Sequence, residues 1–407
     1  MTIKKIKEKY NSFFETSNKP DYLLFLIASM LMAIGVIFSY SLSAYTVLHF
    51  EYDQFHFFKR QLAIACISIF IMWYLSRLNP DKIVRKIGFT LFSIFIIIMI
   101  AMPFLPSSLV SETGGASRWI KLPGFSLSPV EFFKIGFIYF IAWSFHRKLL
   151  AHPKKIKLKD EFLLLIPYFM FFGLVVFLIA FLQKDFGHIV LLGLTLFIMM
   201  IFANRSFKIF LILIMIGVGL FLSLIVFFPT RVARVQSWWS SVQDGVLIFL
   251  PSWADQYLRV KDFPEPYQVG HSLNAIANGG LSGTGIGEGF LKLGFLSEVH
   301  TDFILAGITE EVGFFGLFGI VFLMVLTIWR IFRISTRVKD PIYHLFCLGI
   351  GLMISISFLI NAFGISGIIP IKGIAVPFLS YGGSALLGIS ISIGLVLSIS
   401  NRATNNE

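Results

Sequence analysis

Apolar residues occur along this chain in long runs that are separated by short polar stretches. Ten of these runs reach or approach the roughly 20 residues that an α-helix needs to cross about 30 Å of hydrocarbon. The pattern predicts an all-α integral membrane protein with about ten transmembrane helices. The runs occupy residues 22–45, 61–78, 86–105, 130–146, 162–182, 187–203, 207–228, 303–329, 344–368 and 374–399.

The polar stretches divide the chain into three parts. Residues 1–20 form a basic tail, residues 21–400 a single polytopic membrane domain, and residues 401–407 a second short tail. Within the membrane domain, the connection 229–301 between the seventh and eighth runs is by far the longest. It contains no clear helical pattern, and connections of this length are more often functional or mobile than plain linkers.

Composition and charge restrict the class of protein further. The chain is 57% hydrophobic and only 14% charged, which is unlike a soluble domain. Its net charge of +12 could indicate nucleic-acid binding, but the basic residues occur in alternate loops. The positive-inside rule then places both termini in the cytoplasm, in agreement with an even number of helices, and no nucleic-acid partner is expected. These basic residues are Lys4, Lys5, Lys7, Lys9, Lys19, Arg77, Lys82, Arg85, Lys86, Arg147, Lys148, Lys154, Lys155, Lys157, Lys159, Arg205, Lys208, Arg330, Arg333, Arg337, Lys339 and Arg402.

A second set of cations lies on the side that this topology makes external. Each of them could reach lipid headgroups or form a local ion pair. Lys134, for example, follows a capping box at Ser128–Glu131 and can pair with Glu131 at i,i+3 or bind a pyrophosphate. As a set, they indicate an anionic ligand, for which a phosphate-bearing lipid is the obvious candidate. The set comprises Arg118, Lys121, Lys134, Arg231, Arg234, Lys292 and Lys372.

Acidic residues stand against an apolar run between Glu298 and Glu311. A carboxylate at the centre of a membrane helix costs about 2.5–3.5 kcal/mol, so such residues usually face a cavity, a partner or a substrate. Asp302, at the outer edge, is the first candidate for chemistry. His300 is either a hydrogen-bonding bystander or a substrate contact. Glu310 and Glu311 would lie about 12–14 Å deeper on a continuous helix, as packing or cavity groups, with Glu310 a further candidate for substrate contact.

Several ordered motifs together resemble the SEDS family of bacterial cell-wall proteins, the group that contains FtsW, RodA and SpoVE. The resemblance covers most of the chain, and the motifs are specific only in combination. They are Ala116–Ile120 followed by Ser128–Lys134, Gln183–Gly187, Ala277–Gly287, His300–Ile304 with Glu310–Gly313, and Pro377–Ser384.

The resemblance implies a peptidoglycan glycosyltransferase that polymerises lipid II on the outer face of the bacterial cytoplasmic (inner) membrane. The family's essential aspartate matches Asp302, which would act as a general base on the 4-hydroxyl of the acceptor sugar. Arg118, Lys134 and Arg231, in that order, are candidates to stabilise the pyrophosphate leaving group, and a divalent cation, Mg²⁺ or Mn²⁺, is a candidate cofactor. The implied partners are lipid II, membrane lipid, a class B penicillin-binding protein that acts as transpeptidase, and other division proteins.

Within the family, three features favour the FtsW type and a role at the division septum. They are Lys372-Gly373 ahead of Pro377, the Gly-Ile-Gly at 285–287 followed by Lys292, and the charged N-terminal tail. The alternatives are an elongation polymerase like RodA, a lipid II flippase, and a scaffold that only recruits a transpeptidase. Glu310 and Glu311 are what a transport path would show, but the candidate groups cluster on one face and no inverted repeat is apparent.

Overall fold

The computed structural model describes residues 19–106, 108–113, 116–122, 125–149, 158–203, 207–227, 229–249, 251–260, 267–296, 299–370 and 373–403. Helices account for most of these residues. They are α1 (Tyr22–Ser41), α2 (Ala44–His49), α3 (His56–Ser76), α4 (Pro80–Ala101), α5 (Pro129–Ser144), α6 (Leu158–Phe177), α7 (Phe186–Phe202), α8 (Phe207–Val226), α9 (Pro229–Leu247), α10 (Ser252–Leu258), α11 (Tyr267–Gly279), α12 (Ile304–Arg337), α13 (Pro341–Ile365) and α14 (Gly383–Ser400). Single π-helical turns extend α5 through Phe145–Leu149 and α6 through Leu178–Leu182.

Each of the ten apolar runs overlaps at least one of these helices, which confirms the predicted all-α membrane class. Among the described residues, seven helical segments are long and apolar enough to cross a membrane, and α7 is a shorter apolar helix. Ten crossings and cytoplasmic termini therefore stay predictions. The tenth run was expected to be helical from residue 374, but α14 begins at Gly383. Pro377 and the glycine pair Gly382-Gly383 interrupt the helix before that point.

Helices α5, α13 and α14 form the interior of the bundle. About 78% of the apolar window of α13, and of that of α14, is buried, against 17% for α4 with its continuation to Phe104. Helix α14 packs against α3, and α13 packs against α12, α7 and α5. The largest fully buried side chains include Phe133, Phe137 and Phe346 from α5 and α13. Neighbouring helices cover this interior, so lipid does not reach it. Polar side chains can therefore contact one another there without facing hydrocarbon.

A small antiparallel sheet precedes α5 and was not predicted. Its strands are β1 (Val110–Thr113), β2 (Ala116–Leu122) and β3 (Phe125–Leu127), in the order β1-β2-β3. Ile120 pairs with Val110 on one side and with Leu127 on the other, and the register shifts between Ser111 and Glu112. The sheet fixes the position of Arg118, on its central strand, relative to the start of α5.

The long connection before α12 contains three helices, so the expectation that it lacks helices was wrong. Helix α9 mixes Arg, Gln, Ser and Asp with Val and Trp and therefore has no continuous apolar run. Tertiary contacts hold it: the Trp238 indole donates to Gly367 O at 2.7 Å, beyond the end of α13, and the Trp239 indole to Leu258 O at 2.6 Å. The tails 1–18 and 404–407 lie outside the described residues.

Helix α12 breaks at Gly313, whose φ of +67° lies in the left-handed region. The glycine-rich segment after α11, residues 280–294, supplies hydrogen-bond partners for the backbone groups at the break. Thr284 N donates to Glu310 O at 3.0 Å and Gly285 N to Glu311 O at 2.9 Å, while Phe314 N and Phe315 N donate back to Gly280 O and Leu281 O. Because the two backbones approach so closely, a Cβ on Gly313 would lie 2.3 Å from Gly283 N. The break is therefore a packed joint whose backbone groups are satisfied.

Candidate active site

Asp302 lies in the short loop that leads into α12. Three hydrogen bonds from the opposite segment fix its backbone: Asn361 Nδ2 donates to Asp302 O at 2.7 Å, Ser380 Oγ to Thr301 O at 2.7 Å, and Tyr381 N to His300 O at 2.9 Å. Asn361 also donates to Ile374 O at 2.9 Å. The side chain of Asp302 is half-buried, whereas those of the flanking Phe303 and Ile304 are buried. The backbone of the loop is therefore held in place, while Asp302 itself is partly exposed.

Gly373 brings a second backbone close to this carboxylate. Its φ is +61°, and a Cβ at this position would lie 3.0 Å from Asp302 Oδ2. Only glycine combines this conformation with so close an approach at little cost. Lys372, one of the predicted external cations, precedes it and lies outside the described residues, as does Glu298.

A cavity of about 30 Å³ adjoins the Asp302 loop. Glu131 and Lys134 of α5 line it together with Ser380, which donates to Thr301 O in the loop, and with Ile374, whose carbonyl accepts from Asn361. The loop and the cavity thus have a common wall. The volume of the cavity corresponds to about two water molecules. A sugar or a pyrophosphate can therefore enter it only after the surrounding segments separate.

Lys134 and Glu131 form the predicted i,i+3 ion pair, with 2.7 Å between Lys134 Nζ and Glu131 Oε2. The predicted capping box was wrong, because the Ser128 side chain makes no capping hydrogen bond. Ser128 instead donates its backbone N–H to Ser384 Oγ at 2.9 Å. The other Glu131 oxygen, Oε1, lies 2.9 Å from His188 Nε2. The Glu131 carboxylate therefore joins α5 to α7 instead of closing the first turn of α5.

Arg118 is tied to the turn between α6 and α7. Its guanidinium donates to Lys184 O at 2.8 Å and to Gln183 O at 3.3 Å, and it lies 3.9 Å from Asp185 Oδ2. Asp185 is the N-cap of α7, and its side chain accepts a hydrogen bond from His188 N at 3.3 Å.

Asp185 also lies 3.0 Å from His188 Nδ1. Burial by itself would raise the pKa of the Asp185 carboxyl, but the His188 ring and the Arg118 guanidinium outweigh burial and lower it. A continuous row of charged groups, Arg118, Asp185, His188, Glu131 and Lys134, thus connects two of the predicted cations.

Lys292 was expected among the external cations that are open to an anionic ligand, but the structure buries it. Only 4% of Lys292 is exposed. Its ammonium lies 2.6 Å from Glu311 Oε1 and donates to Gly287 O at 2.7 Å and to Ser41 Oγ at 3.1 Å. Ser41 in turn donates to Glu311 Oε2 at 2.7 Å. Because these three contacts take up the three N–H donors of a buried ammonium, they are those of a structural residue.

Glu310 has a similar environment. Its carboxylate accepts hydrogen bonds from Asn278 Nδ2 at 2.9 Å, from Phe290 N at 2.9 Å and from Leu291 N at 3.1 Å. It is 1% exposed. These bonds hold the glycine-rich segment against α12, so a substrate contact for Glu310, as for Lys292, has no support from its placement and stays a prediction.

Two candidate residues from the sequence remain, His300 and Arg231. His300 is buried, with its ring centroid 4.8 Å from that of Phe57 and 5.5 Å from that of Tyr381, and its predicted substrate contact stays a prediction. Arg231 lies in α9, but its side chain is outside the described part of the structure. Over the described ranges, no three His, Cys, Asp or Glu side chains are grouped to hold a metal ion.

Three residues of this site were missed from the sequence: Asn361, Ser380 and His188. Asn361 is the one amide side chain in the apolar run 344–368, and this isolated polar position could have indicated a functional role. Ser380 lies inside a quoted motif without a role of its own. His188 directly follows the Gln183–Gly187 motif, and its partners on α5 are distant in sequence.

Comparison with known proteins shows the family to which this chain is similar. The model of the FtsW/RodA/SpoVE family, described as cell cycle proteins, matches residues 21–405. A relative from Helicobacter pylori named "Probable peptidoglycan glycosyltransferase FtsW" is 49% identical over 380 residues, which cover 93% of this chain and 98% of the relative. Stage V sporulation protein E of Bacillus subtilis is 32% identical over 385 residues, which cover 94% and 97% of the two chains.

Two solved structures share the fold. One is a chain from a study of the structural coordination of polymerization and crosslinking by a peptidoglycan synthase complex, with a TM-score of 0.65, 20% identity, and coverage of 94% of this chain and 97% of that one. The other is the rod shape determining protein RodA of Thermus thermophilus, with a TM-score of 0.60, 20% identity, and coverage of 95% and 98%. Together with the family match over nearly the whole chain, these likenesses show that the chain belongs to the FtsW/RodA/SpoVE family of cell cycle proteins.

Proposed function

We propose that this protein is a peptidoglycan glycosyltransferase that polymerises lipid II, undecaprenyl-pyrophosphoryl disaccharide-pentapeptide, at the outer face of the bacterial cytoplasmic membrane. The name of the Helicobacter pylori relative supports the activity, at 49% identity over almost the full length. The structural observation that carries the proposal is the half-buried residue Asp302, which lies in a loop whose backbone is fixed by Asn361, Ser380 and Tyr381.

In this proposal Asp302 is the general base. Its carboxylate takes the proton of the 4-hydroxyl of the acceptor sugar while that oxygen forms a bond to the anomeric carbon of the lipid-linked donor. The bond from the anomeric carbon to the pyrophosphate breaks, and the electron pair leaves with undecaprenyl pyrophosphate. The rigid backbone contributes by holding the base in one position relative to the acceptor.

Among the candidate cations from the sequence, Lys134 and Arg118 have described side chains and can offset the negative charge on the leaving pyrophosphate. Lys134 lines the cavity next to the Asp302 loop, and about a tenth of its side chain is exposed. Arg118 is more open, with 31% of its side chain exposed. Preorganised cations stabilise developing charge more effectively than water does, because they need not reorient. The divalent cation expected from the resemblance stays a prediction, and the steps above use only side chains of the chain itself.

The division septum is the proposed site of action, in preference to lateral wall elongation, because the FtsW relative is more similar in sequence than the RodA structure. A class B penicillin-binding protein is the proposed partner. The fold shared with a chain from a study of polymerization and crosslinking supports this pairing.

Transport of lipid II loses its main support in the geometry. Glu310 and Glu311 were the charges inside a helix that a transport path would use. Both are 1% exposed, and they are bonded to the glycine-rich segment, to Lys292 and to Ser41. Within the described residues these acids therefore serve the joint in α12.

A polymerisation assay tests the proposed activity. Purified protein, with and without its transpeptidase partner, is supplied with lipid II, and glycan strands are separated by length. We expect Asp302→Asn to lower polymer formation by about 10²- to 10⁴-fold, the usual contribution of a general base. Asp53→Asn is the matched control, because Asp53 is an exposed carboxylate in the loop before α3 that pairs with Lys59. Undiminished polymer from a folded Asp302→Asn protein would overturn the assignment of the base.

A further inference from the structure

His188 lies in the first turn of α7 between two carboxylates. Its Nε2 is 2.9 Å from Glu131 Oε1 on α5, and its Nδ1 is 3.0 Å from Asp185 Oδ2 in the preceding turn. Only 7% of the residue is exposed. None of the sequence motifs included His188, and the reaction proposed above does not use it.

The geometry fits a doubly protonated ring. A neutral imidazole has one N–H, so it could donate to one carboxylate only and would turn a lone pair toward the other. An imidazolium donates to Glu131 through Nε2 and places its positive charge 3.0 Å from Asp185, although Nδ1 is not aligned for a hydrogen bond to that carboxylate. A protonated ring therefore avoids turning a lone pair toward either of the two buried carboxylates.

The two oxygens of Glu131 are divided between two cations. Oε1 faces His188, and Oε2 faces Lys134 at 2.7 Å. Without His188, Lys134 would be the nearest counter-charge for the whole carboxylate and would be held by it. With His188 in place, one of the two Glu131 oxygens is paired with the ring on α7. The Lys134 ammonium then has N–H donors that can bind an incoming anion.

We infer that His188 is a positioning residue that partly neutralises Glu131 and thereby keeps Lys134 available to the pyrophosphate of the lipid-linked donor. This inference rests on the proposed function and deepens it. The ion-pair contact between the His188 ring and Asp185, which lies 3.9 Å from the Arg118 guanidinium, gives the same histidine a second connection to the outer cation.

Kinetics of three variants test the inference. His188→Gln keeps one donor, His188→Phe keeps none, and Thr195→Val is the matched control, because Thr195 is buried in the same helix and bonds only to Leu191 O among the described contacts. We expect the KM for lipid II to rise about ten- to a hundredfold in His188→Phe, with a smaller rise in His188→Gln and a smaller change in kcat. Thr195→Val should leave both parameters unchanged.

A double-mutant cycle separates positioning from general support of the fold. In a Lys134→Met background, His188→Gln should raise the KM by less than about twofold, because the group that it positions is absent. Direct binding of undecaprenyl pyrophosphate to each purified variant gives a readout that does not require turnover, and thermal unfolding in detergent checks the fold.

The outcomes are distinct. Additive effects of His188→Gln and Lys134→Met, or wild-type KM and binding in a folded His188→Gln protein, would overturn the inference. If His188→Phe fails to fold, the glutamine variant and the cycle still decide. If the wild-type protein makes no polymer but binds undecaprenyl pyrophosphate in a His188-dependent way, the proposed function fails while the role of His188 stands.

Discussion

The buried ion pair between Lys292 and Glu311 offers a sharp test of how the joint in α12 is held. We consider Lys292→Met, which keeps a flexible chain of similar length and removes only the charge and the hydrogen bonds. The Lys292 ammonium has three partners, at 2.6 Å in Glu311, 2.7 Å in Gly287 and 3.1 Å in Ser41. After the substitution, Glu311 keeps the Ser41 hydroxyl as its described partner but loses its counter-charge.

The expected cost follows from burial. Side-chain exposure is 3% for Lys292 and 0% for Glu311, so solvent cannot compensate the carboxylate. Removing one partner of such a pair costs about 3–5 kcal/mol of unfolding free energy, because a buried charge is left unpaired. Replacing both partners, in Lys292→Met with Glu311→Met, should cost less than the single change. About 1–2 kcal/mol remains for the unpaired Gly287 carbonyl and Ser41 hydroxyl.

Equilibrium unfolding in mixed micelles measures these free energies. Lys59→Met is the control, since Lys59 pairs with Asp53 on the surface with 68% of its side chain exposed, and it should leave stability nearly unchanged. The reasoning is refuted if Lys292→Met is as stable as Lys59→Met. It is also refuted if the double variant loses the sum of the two single losses, because the pair would then not be coupled.

Two further predictions concern the candidate active site. Gly373→Ala should lower polymer formation about tenfold or more, because a Cβ at φ +61° would lie 3.0 Å from Asp302 Oδ2 and displace the base. Gly280→Ala, at φ +52° with open space around it, is the control, and equal losses from both would contradict the crowding argument. For Asp185, whose pKa is lowered from 3.8, the ionised form stabilises the fold above that value, and this contribution is lost as the pH falls through the folded pKa. The wild-type protein should therefore be more thermally stable than Asp185→Asn near neutral pH, and this difference should shrink in acid. A difference that stays constant from about pH 7 to pH 3 would contradict the prediction.

Local patterns in the sequence determined several features of this protein. The apolar runs determined the membrane class, because a span needs only about 20 consecutive apolar residues, whatever their neighbours in space. The Glu131–Lys134 pair was also correct, since it joins residues three positions apart. The capping box at Ser128 failed although its pattern was complete. The hydroxyl of Ser384, distant in sequence, binds the Ser128 backbone N–H instead.

Tertiary structure alone decided how the site is assembled. Ser41 and Glu311 are 270 positions apart, Asn361 and Asp302 are 59 apart, and His188 and Glu131 are 57 apart. No periodicity along the chain encodes such pairs, because they depend on which helices become neighbours. For the same reason Lys292, which resembled an external ligand for anions in the sequence, is a buried partner of Glu311. The sequence predicted Asp302 as the acidic residue at a membrane edge. The packing of α12, α13 and the segment before α14 placed its carboxylate against Gly373, and it placed Ser380, which binds the same loop, in the lining of the cavity that Lys134 also lines.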